Sequence, residues 1–255
     1  MRGKTKLGQH FLTDTEIAQR EIQYADITKE DVVLEIGPGK GVLTRIIGKK
    51  AKYVIAVELD QKLVEILKTT LPKNVNLIHQ DALDLDFKKL PSFNKIVSNL
   101  PFQISSPITF KFLETDFSKA VLIYQKDFAK RMIAQVGSKD YSRLSVHLYY
   151  KTKCTILEEI SKECFDPKPR VDACIVEIIP RDKPPFVVEN ETYFFKLINL
   201  LFSHRRKKIK NTLSKKISNY SNLPYMDCRV EELSPEQIAN LSDILYKNNQ
   251  KIGVN

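Results

Sequence analysis

The 255-residue chain has no tryptophan and only four cysteines, Cys154, Cys164, Cys174 and Cys228. They are widely spaced, with no Cys-x-x-Cys pair and no histidine at ligand spacing, so no zinc or other metal site is expected. Idle thiols in a reducing compartment are the simple reading, and a cytoplasmic location follows from it. Long apolar runs are missing too. The richest stretches, residues 120–124 and 197–202, fall far short of the roughly 18–20 residues of a membrane helix, so no membrane partner is expected. The first twelve residues are basic without an apolar core, which excludes a secretory signal as an expectation. Internal repeats and low-complexity tracts are absent. A hydrophobic content of 42% beside 28% charged residues excludes a disordered or fibrous chain. The length suits one large domain plus a small one.

What the chain has in excess is positive charge: 41 Lys+Arg against 31 Asp+Glu, a net charge of +10. That excess points to a polyanionic partner, most simply nucleic acid.

Between residues 31 and 125 short apolar runs alternate with helical patterns. Strands are predicted at 32–36, 53–57, 75–79, 95–98 and 120–124, with helices at 41–50, 60–70 and 105–114 between them. This alternation calls for an α/β fold, a Rossmann-like parallel sheet with helices on both faces, whose ligands lie beyond the carboxyl ends of the strands. The glycine and polar punctuation falls at those ends: residues 37–41, Glu58, Asp81 and Asn99. Helices are expected at 127–136 and 142–150, then strands at 152–160 and 173–179. The segment Arg181-Asp182-Lys183-Pro184-Pro185 is the best linker, because two prolines continue neither element. Beyond it the pattern is only helical, at 191–201, 205–217 and 235–246. Two domains are therefore expected, 1–180 and a helical 181–255.

Glu35-Ile36-Gly37-Pro38-Gly39-Lys40-Gly41 joins a strand to a helix. Gly37 and Gly39 let the backbone turn and let a ligand approach without interference from a Cβ. Glu58, 21 residues after Gly37, can accept ribose hydroxyls, and Asp81 can accept from an adenine amino group. The Gly-x-Gly-x-Gly spacing is shorter than the dinucleotide fingerprint. It favours a nucleoside without pyrophosphate, such as S-adenosylmethionine, over NAD, but does not decide between them.

Asn99-Leu100-Pro101-Phe102 follows the fourth predicted strand. The exocyclic amine of adenine is a poor nucleophile, since its lone pair is delocalised into the ring. Two acceptors for its hydrogens, the Asn99 side-chain carbonyl and the Leu100 main-chain carbonyl, favour a pyramidal nitrogen and stabilise the charge that develops on it. Pro101 fixes the turn, and Phe102 offers a face to an extruded base, worth about 1–3 kcal/mol. Such catalysis needs positioning and electrostatics and no general base.

With these motifs the chain resembles the KsgA-type rRNA adenine dimethyltransferases, relatives of the Erm methyltransferases. The resemblance runs from about residue 6 to 213. Beyond the glycine loop and Asn-Leu-Pro-Phe it rests on Leu7-Gly8-Gln9-His10-Phe11-Leu12, Gln103-Ile104-Ser105-Ser106-Pro107, Tyr141-Ser142-Arg143-Leu144-Ser145-Val146, Phe165-Asp166-Pro167-Lys168-Pro169-Arg170-Val171-Asp172 and Phe202-Ser203-His204-Arg205-Arg206-Lys207. Ser-Ser-Pro and Phe-x-Pro-x-Pro-x-Val-Asp are similar to the KsgA type rather than to Erm. The resemblance implies S-adenosylmethionine as cofactor. It places His10 and Leu12 against that cofactor with Gly37, Glu58, Asp81 and Asn99, and makes Phe165 a second aromatic facing the target adenine. It also implies the substrate, two adjacent adenosines near the 3′ end of small-subunit (16S) rRNA in a precursor of the 30S subunit, each dimethylated by a monomer. Two positions depart from the family pattern. Phe102 stands where the family usually has Tyr, and His10 where bacterial members more often have Asn. Two other readings stay open: an Erm-like enzyme acting on large-subunit rRNA, and a non-catalytic ribosome-assembly factor on the same fold.

Residues 205–216 hold seven basic side chains and no acid. Phe202, Ile209 and Leu213 are expected to pack inward, with Arg205, Arg206, Lys207, Lys208, Lys210, Lys215 and Lys216 outward on an RNA-binding helix face. Arg2, Lys4 and Lys6 add three. Without these ten the chain has 31 basic and 31 acidic residues, so the surplus sits in two segments.

Overall fold

A computed structural model describes residues 9–214, 216–217, 223–248 and 252. Arg2, Lys4, Lys6, Leu7, Gly8 and Lys215 lie outside the described residues. The chain divides into two compact units, residues 1–129 with 153–180, and residues 130–152 with 181–255. The stretch 130–152 thus clusters with the residues after the proline linker.

The first unit is built on a seven-stranded sheet. Strands β2 (Val32–Ile36), β3 (Tyr53–Glu58), β4 (Val75–His79), β5 (Lys95–Asn99), β6 (Lys119–Gln125), β7 (Thr152–Ile160) and β9 (Ala173–Pro180) take the order β4-β3-β2-β5-β6-β9-β7. The first five in that order pair in parallel, and β9 runs antiparallel to β6. Every side chain of β6 from Ala120 to Tyr124 is fully buried, as a strand covered on both faces requires. Helices α2 (Val42–Lys50), α3 (Gln61–Thr70) and α4 (Ser105–Phe112) are the crossovers between parallel strands.

Two elements go beyond the sequence reading. Helix α1 (Thr15–Ala25) precedes the sheet, N-capped by Asp14, whose carboxylate accepts from the Glu16 and Ile17 amides. A two-residue strand β1 (Phe11–Leu12) pairs antiparallel with β8 (Phe165–Asp166), joining segments about 155 residues apart.

The connection between β2 and β5 matters most for function. The chain steps from β2 outward to β3 and β4, then returns to β5 on the other side of β2. The two strands pair only through Val33 with Lys95 and Leu34 with Ile96. Nearer the carboxyl ends the Ile36 amide donates to the Ser98 hydroxyl at 2.8 Å instead of to a backbone carbonyl. The strands part there, at the topological switch point, and a cleft opens.

The second unit contains α6 (Arg143–Lys151), α7 (Glu191–Ser203), α8 (Ile209–Leu213) and α9 (Pro235–Lys247), with α5 (Lys126–Met132) crossing into it. Its core gathers Phe194, Leu197, Ile198, Ile209, Leu213 and Leu241. A helix over 205–217 is not formed: among the described residues of that stretch only Ile209–Leu213 is helical. The Ile209 and Lys210 amides donate to the Cys228 and Met226 carbonyls, so the backbone before α8 is taken up by pairing with 226–229. Ile209 and Leu213 are nevertheless buried, as their spacing indicated. No helix among the described residues is long and apolar enough to cross a membrane, and none of them form a cluster able to hold a metal ion.

Candidate active site

The cleft is lined by Gln9–Leu12, Glu35, Gly37–Lys40, Val42, Leu43, Glu58 and Asn99–Pro101. Four separate segments meet here, and each arrives for a local reason. The glycine loop turns back from β2 through Gly37, Gly39 and Gly41, all with positive φ, and delivers the chain to the start of α2. A Cβ on Gly37 would lie 3.0 Å from the Pro101 ring, and one on Gly39 2.9 Å from the Phe11 ring. The absent side chains therefore let the loop close against both other walls.

Glu58 ends β3, almost wholly buried. One carboxylate oxygen accepts from the Gly39 amide at 3.1 Å. The other accepts from the Leu59 and Asp60 amides, both at 2.9 Å. Three of about four acceptor directions are thereby taken, and one remains for a ligand hydroxyl. Burial raises its pKa, and the Asp60, Gly39 and Leu59 amides pull it back. Glu58 thus braces the glycine loop as well as facing the cleft.

Asn99 ends β5. Its side-chain amide donates to the His10 carbonyl at 3.2 Å, which turns the other half of the carboxamide away. That oxygen, Oδ1, is buried and has no hydrogen-bond partner among the described residues. A buried acceptor left unpaired costs about 1–3 kcal/mol, so it is poised for a donor from outside the chain.

Phe102 follows Pro101 and is half-buried. The His10 ring lies 5.6 Å from it at a 32° tilt, and Phe165 meets it edge-on at 6.2 Å. Phe165 itself is 3% exposed. The structure places it behind Phe102, as backing for that ring. Asp81 follows β4 and stands apart from the cleft lining, its carboxylate accepting from the Leu83 amide at 2.8 Å across a turn. Leu12 is buried on β1 at the cleft wall.

Phe11 is a lining residue that sequence reasoning passed over. Its ring closes over Gly39 and carries the Lys40 ammonium 5.0 Å above its centroid. An aromatic between two expected contacts was the available signal.

The described basic residues do not form one outward face. Arg205 lies 2.6 Å from Glu231 and donates to the Ser138 and Lys139 carbonyls. Lys208 and Lys210 both reach Asp227, at 3.2 and 2.6 Å. Arg206 and Lys207 are exposed instead on an open basin of about 650 Å³, which Lys139, His204 and Arg229 also line.

The cleft fits a nucleoside cofactor: a glycine loop leading into α2, beside a buried carboxylate with one acceptor direction left. Fold and site together define a Rossmann-like methyltransferase of the S-adenosylmethionine-dependent class. Residues 1–247 match the family model described as ribosomal RNA adenine dimethylase, and the chain belongs to that family. It is 44% identical to a probable ribosomal RNA small subunit methyltransferase A of Methanococcus vannielii, over 97% of this chain and 98% of that one. Identity to the protein of the same description from Thermococcus onnurineus is 42%, covering 98% and 94%. Among solved structures, a dimethyladenosine transferase from Plasmodium falciparum superposes with a TM-score of 0.80 at 27% identity, over 94% of this chain and 99% of that one. The 23S rRNA methyltransferase ErmE gives 0.67 at 25% identity, over 92% and 99%.

Gly39→Ala is expected to weaken cofactor binding about tenfold. Alanine at φ +58° is strained, and its methyl group pushes Phe11 into the cleft. Titration calorimetry with S-adenosylmethionine measures this, and an unchanged Kd would remove Phe11 and Gly39 from the cofactor wall.

Proposed function

We propose that the protein transfers methyl groups from S-adenosylmethionine to the exocyclic amines of two adjacent adenosines near the 3′ end of small-subunit rRNA, as a monomer in the cytoplasm, during assembly of the subunit. The observation that carries the chemistry is the Asn99 carboxamide, held by its amide on the His10 carbonyl with Oδ1 buried and unpaired. An amine N–H is the donor this oxygen lacks. Accepting it draws electron density toward the amine nitrogen and stabilises the positive charge formed there as a fourth bond is made. The Leu100 carbonyl takes the second hydrogen, and Phe102 holds the base by stacking. Gly37, Gly39, Glu58, Leu12 and Phe11 would hold the cofactor, which supplies an electrophilic methyl group. The small-subunit name shared by the archaeal relatives supports this substrate over the large-subunit one.

The deciding experiment offers undermethylated small subunits, and separately large subunits, with labelled S-adenosylmethionine, followed by digestion to nucleosides. Labelled dimethyladenosine from the small subunit is expected. Its absence there, or its appearance only from the large one, would refute the reading.

For RNA contact we favour Lys139, Arg206 and Lys207, which line the basin, over Arg205, Arg229, Lys208 and Lys210, whose charges already face Glu231 and Asp227. Replacing Lys139, Arg206 and Lys207 by alanine together is expected to flatten the salt dependence of RNA binding. At about −0.7 per phosphate on single strands, the log–log slope changes by roughly 2, with cofactor affinity retained. An unchanged slope would place the contact elsewhere.

A further inference from the structure

His10 lines the cofactor cleft, and its side chain is held by two neighbours, the Pro167 carbonyl and the Phe102 ring. Nδ1 lies 2.5 Å from the Pro167 carbonyl. A carbonyl oxygen only accepts, so Nδ1 must carry the hydrogen and the tautomer is set. The ring leans on Phe102, while the main-chain carbonyl of the same residue receives the Asn99 amide. The neighbouring residues extend this arrangement. Phe11 and Leu12 pair with Asp166 and Phe165. Thr13 donates through both its amide and its hydroxyl to the Cys164 carbonyl, at 2.9 and 3.0 Å. Residues 10–13 and 164–167 are therefore one strap, and His10 is its last tie on the side of Phe102.

We infer that His10 is a positioning residue for the methyl acceptor: through its ring and its bond to Pro167 it fixes the Phe102 ring, backed by Phe165, on which the target base stacks. This deepens the function proposed above and rests on it.

The two transfers do not depend on this platform equally. In the first, adenine brings two amine hydrogens, and two carbonyl acceptors hold the nitrogen. In the second, N6-methyladenine brings one hydrogen, and one acceptor loses its partner. Placement of the nitrogen then rests more heavily on the stacked ring. Loosening Phe102 should therefore penalise the second transfer more than the first.

The test uses His10→Leu, His10→Phe and His10→Asn in the full-length protein. Each is assayed beside the wild type on undermethylated small subunits with labelled S-adenosylmethionine, and products are resolved as mono- and dimethyladenosine. Leu removes both donor and ring, and Phe removes the donor alone. Both are expected to raise the monomethyl-to-dimethyl ratio at least about fivefold and to lower kcat, with the Kd for S-adenosylmethionine within twofold of wild type. Asn keeps an N–H for the Pro167 carbonyl and is expected to restore much of the dimethyl product. Should His10→Leu not fold, His10→Phe carries the same comparison. A wild-type product ratio in the donor-less variants would overturn the inference. So would a loss of activity that follows a loss of cofactor affinity, since that would put the side chain on the cofactor. Absence of dimethyladenosine from the wild type would instead overturn the proposed function, and the parallel assay keeps the two failures apart.

Discussion

Asn99→Ala is expected to lower kcat about 10²–10³-fold, the cost of deleting one preorganised group aimed at developing charge. The reason lies in how the carboxamide is held. Its amide half is anchored on the His10 carbonyl, so Oδ1 pays no reorganisation cost when charge appears on the amine nitrogen. Stability should change little, because the variant loses one 3.2 Å bond and also removes a buried unpaired oxygen. The measurement is single-turnover methyl transfer on undermethylated small subunits, with thermal unfolding as control. A rate within threefold of wild type would show that Oδ1 does not meet the reacting amine. The same variant separates catalysis from an assembly role: a function in subunit maturation independent of methylation would survive it.

Glu21→Leu is expected to stabilise the protein by about 1–3 kcal/mol at pH 8, a rise in Tm of roughly 3–10 °C. Glu21 lies on the buried stripe of α1 with Ile17, Ala18, Ile22 and Ala25. It is completely inaccessible, and neither carboxyl oxygen has a hydrogen-bond partner among the described residues. Burial, and then the neighbouring Glu35, hold its pKa well above the usual carboxylate value. Glu35, on β2 and also buried, is pushed up to about 8, chiefly by burial. The sign follows from the neutral form being the one the folded state prefers. Below the ordinary value of 4.5 both states are protonated, and no penalty arises. Above it the unfolded chain ionises while the folded one does not, so stability falls with rising pH until Glu35 ionises near 8. Across that window Glu35 removes stability at up to about 1.4 kcal/mol per pH unit. The wild type should therefore unfold at lower temperature at pH 8 than at pH 5, and Glu21→Leu should reduce the difference. Thermal unfolding at both pH values measures it. A lower Tm for the variant at pH 8 would mean that the carboxyl finds a partner in solution.

The same residue shows why α1 was not legible in the sequence. The spacing of Ile17, Ala18, Ile22 and Ala25 is helical, but a glutamate sits in the middle of that apolar stripe and breaks the pattern. Strands β2 and β4 were legible to the residue. A short run of mostly apolar, largely branched residues closed by a glycine turn or an acid has few other conformations open to it. The basic segment was half legible: Ile209 and Leu213 are buried as their spacing indicated, while the length of the helix was not. Its backbone pairs with residues 226–229, and no local signal announces a partner so distant in the chain.

The order of strands and helices, the glycine turn, the acid at the end of β3 and the Asn-Leu-Pro-Phe sequence were determined by local chemistry. Backbone freedom, side-chain periodicity and hydrogen-bonding groups act within a few residues, and a linear reading captures them. What the tertiary structure alone decided depends on which distant groups became neighbours. It turned the Asn99 carboxamide by giving its amide the His10 carbonyl, and it brought the Gly39 amide onto Glu58. It set Phe165 of β8 edge-on to Phe102, and opposite Leu12 of β1. Lys208 and Lys210 face Asp227, leaving Arg206 and Lys207 exposed beside Lys139. Hydrogen bonds and ion pairs join whichever groups folding brings within about 3 Å, and sequence separation carries no information about that distance.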